Sequence, residues 1–382
     1  MPGRLCGLAF GLQLELTQAY PMLLWQQKME TNVQDKRIGF ACKMMTEEVF
    51  ASKKDANLWL KKYNTSATTV AALDRLSRSQ AIEKIVSILR QNAQVLCNQF
   101  VALSEWPQAL RMIRIGSEIM PARTHPRYMS WYEDESAIRE ALRDFARAGE
   151  LARRWDIRLS THPGQFTLLC SHSQEAINRS IDDLHYHSEI FRLMGFDSTD
   201  QRQEINIHGG ARRDDFVDQF STNFPRLSRD TQQWLSVEND EFSYCVDDLL
   251  PLADRVKICV DINHYWLHQG HYLDPQDARL ERVIASWRGA RPELHVSWPA
   301  ESVLSNHDAG VLPQMPLLEG AGHKRSKLRA HSETAWNTAI TDMALQFWDR
   351  FDLMCEVKSK NLAAHAVWQR GQQIVDTTGV GQ

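Results

Sequence analysis

The 382-residue sequence contains no Cys-x-x-Cys pair. Its seven cysteines, Cys6, Cys42, Cys97, Cys170, Cys245, Cys259 and Cys355, are scattered, several of them inside apolar runs. That spacing excludes a cysteine zinc site and fits reduced, mostly buried thiols of a cytoplasmic protein. No Gly-x-Gly-x-x-Gly or Gly-Lys phosphate loop follows any β-branched run, which removes the nucleotide-binding folds that depend on one. Short-period repeats and low-complexity stretches are also missing. The most apolar segment, Leu5 to Trp25, is interrupted by Gln13, Glu15 and Gln18 and lacks a small-residue cleavage pattern. An extension, or a start codon read too early with Met29 as the next candidate, accounts for it more simply than a signal peptide or membrane anchor. Nor is there an excess of one charge. The formal net charge is −4, so the chain is no polycation. A cluster of acidic metal ligands would itself lower that sum, because bound cations are not counted in it.

What is present is alternation. Hydrophobic residues make up 43% and charged residues 24%, ordinary for a soluble globular protein. Short β-branched or apolar runs recur at Arg37–Cys42, Arg111–Ile115, Ile157–His162, Glu204–His208, Trp234–Glu238, Lys257–Asp261, Glu293–Ser297 and Leu353–Val357. Between many of them lie helical patterns, as at Ala81–Leu103, Glu135–Arg154, Gln174–Met194 and Thr334–Phe351. Ser173 and Ser332 are the expected N-caps of the last two. About eight strand–helix alternations predict a closed (β/α)8 TIM barrel; an open doubly wound sheet is the alternative. The length leaves residues 1–35 as an N-terminal extension open to disorder, residues 36–364 as the barrel, and residues 365–382 as a C-terminal tail.

The ends of these runs carry the chemistry. The third ends in Thr161-His162-Pro163-Gly164-Gln165, the fourth in His208-Gly209-Gly210, the fifth in Glu238-Asn239-Asp240 and the sixth in Asp261-Ile262-Asn263-His264. The seventh carries His295 and the eighth ends at Glu356. A TIM barrel gathers strand ends around one mouth, so His162, His208, Glu238, Asp261, His295 and Glu356 are expected to share a cavity. Imidazoles and carboxylates without thiolates suit Zn²⁺, Mn²⁺ or Fe²⁺. Their number exceeds the needs of one ion and points to a two- or three-metal cluster. His125, after the second run, and His331, after the seventh, are further candidates from loops. Arg123 and Arg127 beside His125, Arg212 and Arg213 after His208, and the basic segment His323–Arg329 lie on loops of the same face, where phosphate contacts would be made.

At these residues the sequence resembles the ultraviolet damage endonuclease family, TIM barrels related in shape to endonuclease IV. The resemblance runs from about Arg37 to Ala363. It rests on Arg37-Ile-Gly-Phe-Ala-Cys42, Arg114-Ile-Gly-Ser-Glu118 with Pro121 and His125, Leu159-Ser-Thr-His-Pro-Gly-Gln165, Ile205-Asn-Ile-His-Gly-Gly210, Val237-Glu-Asn-Asp240, Asp261-Ile-Asn-His264, Arg329-Ala-His-Ser332 and Glu356.

The resemblance implies nicking of the DNA backbone immediately 5′ to ultraviolet photoproducts, pyrimidine dimers and 6-4 products, in an excision repair pathway. It implies a divalent metal cluster, usually described as manganese, with zinc or magnesium as alternatives. The ligands carried over are His125, His162, His208, Glu238, Asp261, His264, His295, His331 and Glu356, of which Glu238, Glu356, His208 and Asp261 are expected to carry the catalysis. The family probes the damaged duplex with a Gln-Tyr pair, which here is Gln165-Phe166 without the hydroxyl. Arg123, Arg212, Lys324 and Arg325 are the expected backbone contacts. Some members carry a carboxylated, metal-bound Lys two positions before the seventh-strand His, where this chain has Glu293. The implied substrate is double-stranded DNA with ultraviolet lesions. The protein is expected to be a cytoplasmic monomer, associated with the nucleoid if bacterial, with no membrane partner. Two rival readings are a divalent-metal sugar isomerase or epimerase on the same barrel, and a non-catalytic damage-binding protein that has lost its metals.

Overall fold

The computed structural model describes residues 36–378. The expected extension over residues 1–35 lies outside them. Eight parallel strands close into a barrel in chain order: β1 (Ile38–Ala41), β2 (Met112–Ile115), β3 (Arg158–Thr161), β4 (Glu204–His208), β5 (Leu235–Glu238), β6 (Lys257–Asp261), β7 (Glu293–Val296) and β8 (Asp352–Cys355), with β8 pairing back onto β1. The fold is a (β/α)8 barrel, and each strand falls within its sequence-predicted run or within a residue of it.

Side chains on a strand alternate between its two faces. Residues such as Ile113, Leu159, Ile205, Val237, Ile258, Leu294 and Leu353 alternate with polar partners and join the apolar cluster that includes Ile85, Leu89, Phe100, Leu184 and Phe191 of the surrounding helices. The other face of each strand fills the barrel interior, and there the chain places Arg114, Arg158, Ser160, Glu204, Asn206, Ser236, Lys257, Glu293 and Asp352, all buried. A barrel interior is a packed core rather than a pore, so these groups must satisfy one another. Arg158 donates to Asp352 Oδ2 at 2.6 Å. Lys257 Nζ donates to the carbonyls of Gln201 and Gln203 at 2.8 and 3.0 Å. Ser236 Oγ contacts Glu204 Oε1 at 2.5 Å and Asn206 Oδ1 at 2.9 Å, and Asn206 Nδ2 donates onward to Glu238. A polar column therefore climbs from the barrel floor to the mouth.

Three local expectations are corrected. The pattern over Glu135–Arg154 forms two helices, Ser136–Leu142 and Phe145–Arg154, separated at Arg143 and Asp144. Ser332 does not cap a helix: it is buried, its hydroxyl donates to Thr334 O, and the helix begins at Thr338 with Asn337 Oδ1 accepting from Ile340 N at 2.8 Å. The boundary expected at residue 364 falls inside the helix Asn361–Thr378, which packs on β1 through buried residues including Ala364 and Val367. Ser173 does cap its helix, accepting from Ala176 N at 3.3 Å. The six cysteines among the described residues are free, and all but Cys42 are buried.

Candidate metal centre

Parallel register sets the ring of strand ends. It pairs His208 of β4 with Glu238 of β5, and Asp261 of β6 with His295 of β7. His162 follows the last residue of β3, Glu356 follows the last residue of β8, and His264 sits in the first turn of the helix Ile262–Gln269. Asp261 caps that helix, its Oδ1 accepting from the amides of Asn263 and His264 at 2.7 Å each. One carboxylate oxygen thus fixes the backbone and leaves Oδ2 for the cavity.

Glu238 is the centre of the arrangement. Its Oε2 lies 3.0 Å from His295 Nδ1 and 3.6 Å from His162 Nε2, and its Oε1 lies 3.1 Å from His264 Nδ1. The imidazoles of His162 and His208 have centroids 5.1 Å apart, and those of His208 and His264 are 5.7 Å apart. His295 Nδ1 is also 3.6 Å from Glu356 Oε1. Ligand-capable atoms fall within 4.8 Å of one another in four overlapping sets: His162, His208 and Glu238; Glu238, Cys259 and His295; Glu238, Asp261 and His264; Asp261, His295 and Glu356. Sets that share Glu238, Asp261 and His295 are what bridging ligands of a multinuclear centre require.

Carboxylates and imidazoles in the site set one another's protonation. Burial would raise the Glu238 carboxyl, but His295 and His208 outweigh it and hold the group well below the ordinary carboxylate range. Burial would likewise raise Glu356, and Arg114 reverses that. Asp261 is raised by burial. Burial would lower His264, yet Asp261 and Glu238 push it well above the ordinary imidazole range. His295 is raised in the same way against burial, by Cys259 and Glu238. His208 goes the other way, pushed down to about 4 by burial, and so is neutral and able to donate a lone pair. The donor set tests well against a divalent metal. His208 Nδ1 and Asp261 Oδ2 are buried without a hydrogen-bond partner, a condition that costs free energy unless something else binds them.

The supporting residues include some that sequence reading passed over. Arg114 projects from β2 into the barrel, paired through one guanidinium nitrogen with Glu356 and through another, at 2.8 Å, with His295 Nε2. Asn239 locks β5 to β6, donating to Asp261 O at 3.0 Å and accepting from Asp261 N at 2.9 Å. Glu241 Oε2 lies 3.9 Å from His264 Nε2. The signal for Arg114 was its place in a strand otherwise apolar, where a charged residue must face inward to a partner.

Other expected site residues stand apart from this ring. His125 is in no ligand set; it lies on the loop after β2, lining a cleft of about 710 Å³ together with Arg123 and His187. His331 is also outside the sets, held by a bridge to Pro299, though close enough for its charge to act on Glu356. Gln165 and Phe166 are exposed on the loop after β3, Phe166 by 82%. Of the expected backbone cations, Arg123 is paired with Glu189 at 2.9 Å, Arg212 with Asp248 at 3.0 Å and Arg325 with Glu319 at 2.7 Å, while Lys324 is exposed.

The family model described as UV-endonuclease UvdE matches residues 36–380. The chain belongs to this family. The UV DNA damage endonuclease of Bacillus velezensis is 30% identical over 264 residues, an alignment covering 66% of this chain and 78% of the relative. The UV-damage endonuclease of Schizosaccharomyces pombe is 25% identical over 345 residues, covering 87% of this chain but 50% of that longer protein. The solved structure of SacUVDE is similar in fold, with a TM-score of 0.63 at 22% identity, covering 90% of this chain and 99% of that one. Within this UvdE chain, Glu293 lies below the ring. Its Oε1 is 3.3 Å from His295 Nε2 and within 3.4 Å of Ser160 Oγ, its other oxygen is 3.9 Å from Arg158 Nη2, and it belongs to none of the four ligand sets.

Proposed function

We propose that the chain is a metal-dependent endonuclease that nicks double-stranded DNA immediately 5′ to ultraviolet photoproducts, both pyrimidine dimers and 6-4 products, in excision repair. The observation that carries this reading is the convergence of His162, His208, Glu238, Asp261, His264, His295 and Glu356 from the ends of β3 to β8 into one cluster of overlapping ligand-capable sets. These residues would hold two or three divalent ions, manganese in the first place and zinc or magnesium as alternatives, with His125 and His331 reaching in from the rim. When bound, such ions supply Lewis acidity toward phosphoryl oxygens and acidify water, the chemistry that phosphodiester hydrolysis near neutral pH requires.

The chain's own residues do the rest. Glu238, steadied by Asn206, lies between three imidazoles and sets their spacing. Arg114 fixes Glu356 beside His295, so neither side chain needs to reorganise when charge develops. Photoproducts stack and pair poorly, so extruding them costs less than extruding intact bases. The exposed pair Gln165 and Phe166 would occupy the gap left in the stack, as inserted side chains do in other bent duplexes. Lys324, together with Arg123, Arg212 and Arg325 once their carboxylate partners exchange for phosphate, would track the backbone. The same reading makes the protein a monomer acting in the cytoplasm, at the nucleoid in a bacterium.

The test is incision of irradiated plasmid by the purified protein with manganese, beside unirradiated plasmid and a chelated control. Glu238→Gln keeps shape and removes charge. It is expected to abolish nicking while the far-ultraviolet circular dichroism stays unchanged; a fully active variant would contradict the role given to Glu238.

A further inference from the structure

The described residues include two phenylalanines that are largely exposed, Phe166 and Phe242, and both lie on loops at the same end of the barrel. Phe166 follows β3 and Phe242 follows β5, with the His208 end of β4 between them. Exposing an aromatic ring at 54% of its surface forgoes burial worth having elsewhere, and nothing in the incision chemistry so far uses Phe242.

The loop bearing Phe242 is held rigidly. Asp240 Oδ1 accepts from Phe242 N at 2.8 Å and from Ser243 N, and Asp240 Oδ2 accepts from Tyr244 N at 3.2 Å. Asp240 N donates to Tyr244 O at 2.9 Å, closing the turn. Tyr244 is buried, stacked on Phe216 with centroids 4.0 Å apart, and its hydroxyl donates to Ala211 O at 2.9 Å. The turn therefore fixes the backbone from which Phe242 projects. Arg329 reaches across from the loop after β7, its guanidinium 5.7 Å from the Phe242 ring centroid and its Nε 3.1 Å from Glu241 Oε1. Glu241 in turn lies 3.9 Å from His264 of the metal centre. Ring and guanidinium thus form one preorganised patch, with Glu241 standing between it and the ligand shell.

Flat aromatic and guanidinium faces together bind unstacked nucleobases, and the half-exposed Arg329 guanidinium still has donors to offer a phosphate beside its pairing with Glu241. We propose that Phe242 and Arg329 form a second base-stacking site, separate from the Gln165-Phe166 pair, which takes an unstacked base of the DNA near the scissile phosphate and so positions the strand. The proposal rests on the reading of the chain as a DNA endonuclease. Phe242 is a positioning residue in this account, since it acts on substrate placement and not on the reacting atoms.

The experiment uses the full chain loaded with manganese and a duplex oligonucleotide bearing one pyrimidine dimer, with 2-aminopurine substituted in turn at positions flanking the lesion. Wild type, Phe242→Ala, Phe242→Trp, Arg329→Gln and Phe166→Ala are compared for incision kinetics and for 2-aminopurine quenching. Phe242→Ala is expected to raise KM about tenfold with a smaller change in kcat, and to restore fluorescence at a flanking position different from the one that Phe166→Ala restores. Phe242→Trp is expected to keep wild-type KM and quenching, and Arg329→Gln to show a smaller loss than Phe242→Ala. A Phe242→Ala protein with wild-type KM and quenching overturns the proposal while leaving the endonuclease reading intact. A wild-type protein that neither binds nor incises the damaged duplex overturns both.

Discussion

His187 shows how one side chain couples burial to pH. It is fully buried in the helix Gln174–Leu193, its Nδ1 has no hydrogen-bond partner, and burial, assisted by the charge of His162, pushes its pKa down to about 3. An unfolded histidine titrates near 6.5. Between those values the unfolded chain binds a proton that the folded chain refuses. Stability is therefore intact above about 6.5 and falls as pH drops toward 3, with a slope of up to about 1.4 kcal/mol per pH unit from this group. Denaturant titrations of wild type and His187→Gln across pH 7 to 4 should diverge, the wild type losing stability more steeply; parallel curves would mean that His187 does not titrate in this way. At the same scale Arg114 shows what the sequence conceals. Glu356 and His295 could be read from their places at strand ends, whereas the guanidinium that joins them sits mid-strand, and only closure of the barrel discloses which side chains it meets.

Element geometry in this chain follows from close backbone approaches as much as from pattern. The helix Phe145–Arg154 crosses the end of Gln174–Leu193 so closely that a Cβ on Gly149 would lie 1.7 Å from Met194 O. Gly149→Ala must displace one helix, and it is expected to destabilise the fold by about 1–3 kcal/mol, the usual cost of overpacking, although alanine has the better helix propensity. A melting temperature equal to wild type would show that the two helices are not locked. The strands were legible because their outward residues are β-branched or apolar and each run is short. The split of Glu135–Arg154 at Arg143 was not, since both halves bury one continuous apolar stripe including Ile138, Leu142, Phe145 and Leu151 and the periodicity runs on through the break. Ser332 misled because serine followed by an acid looks like a cap, whereas its hydroxyl is spent on Thr334 O in a loop. The motifs of the resemblance end near Ala363, so the sequence leaves residues 365–382 as a tail, whereas the helix Asn361–Thr378 continues through residue 364 and buries Val367.

Over the whole molecule, closure of the β-sheet brings residues separated by most of the chain into a few ångströms, and chain order alone fixes which strand ends become neighbours. That explains why strand position alone places the ring from His162 to Glu356, whereas the rim candidates His125 and His331 come from the family resemblance and their loops. His125 and His331 ride on loops whose path no periodicity specifies, and both lie outside the sets of ligand-capable atoms. It also explains the charged interior: side chains that would be ordinary on a surface here form a column under Glu238, so that the floor of the barrel and its mouth are one hydrogen-bonded unit. The most direct test of the account is the number of manganese ions bound at equilibrium by the metal-stripped, refilled protein, wild type beside Glu238→Gln. At least two tightly held ions per wild-type chain and at least one fewer in the variant are predicted; a wild-type chain that binds none, or a variant that binds as many as wild type, would contradict it.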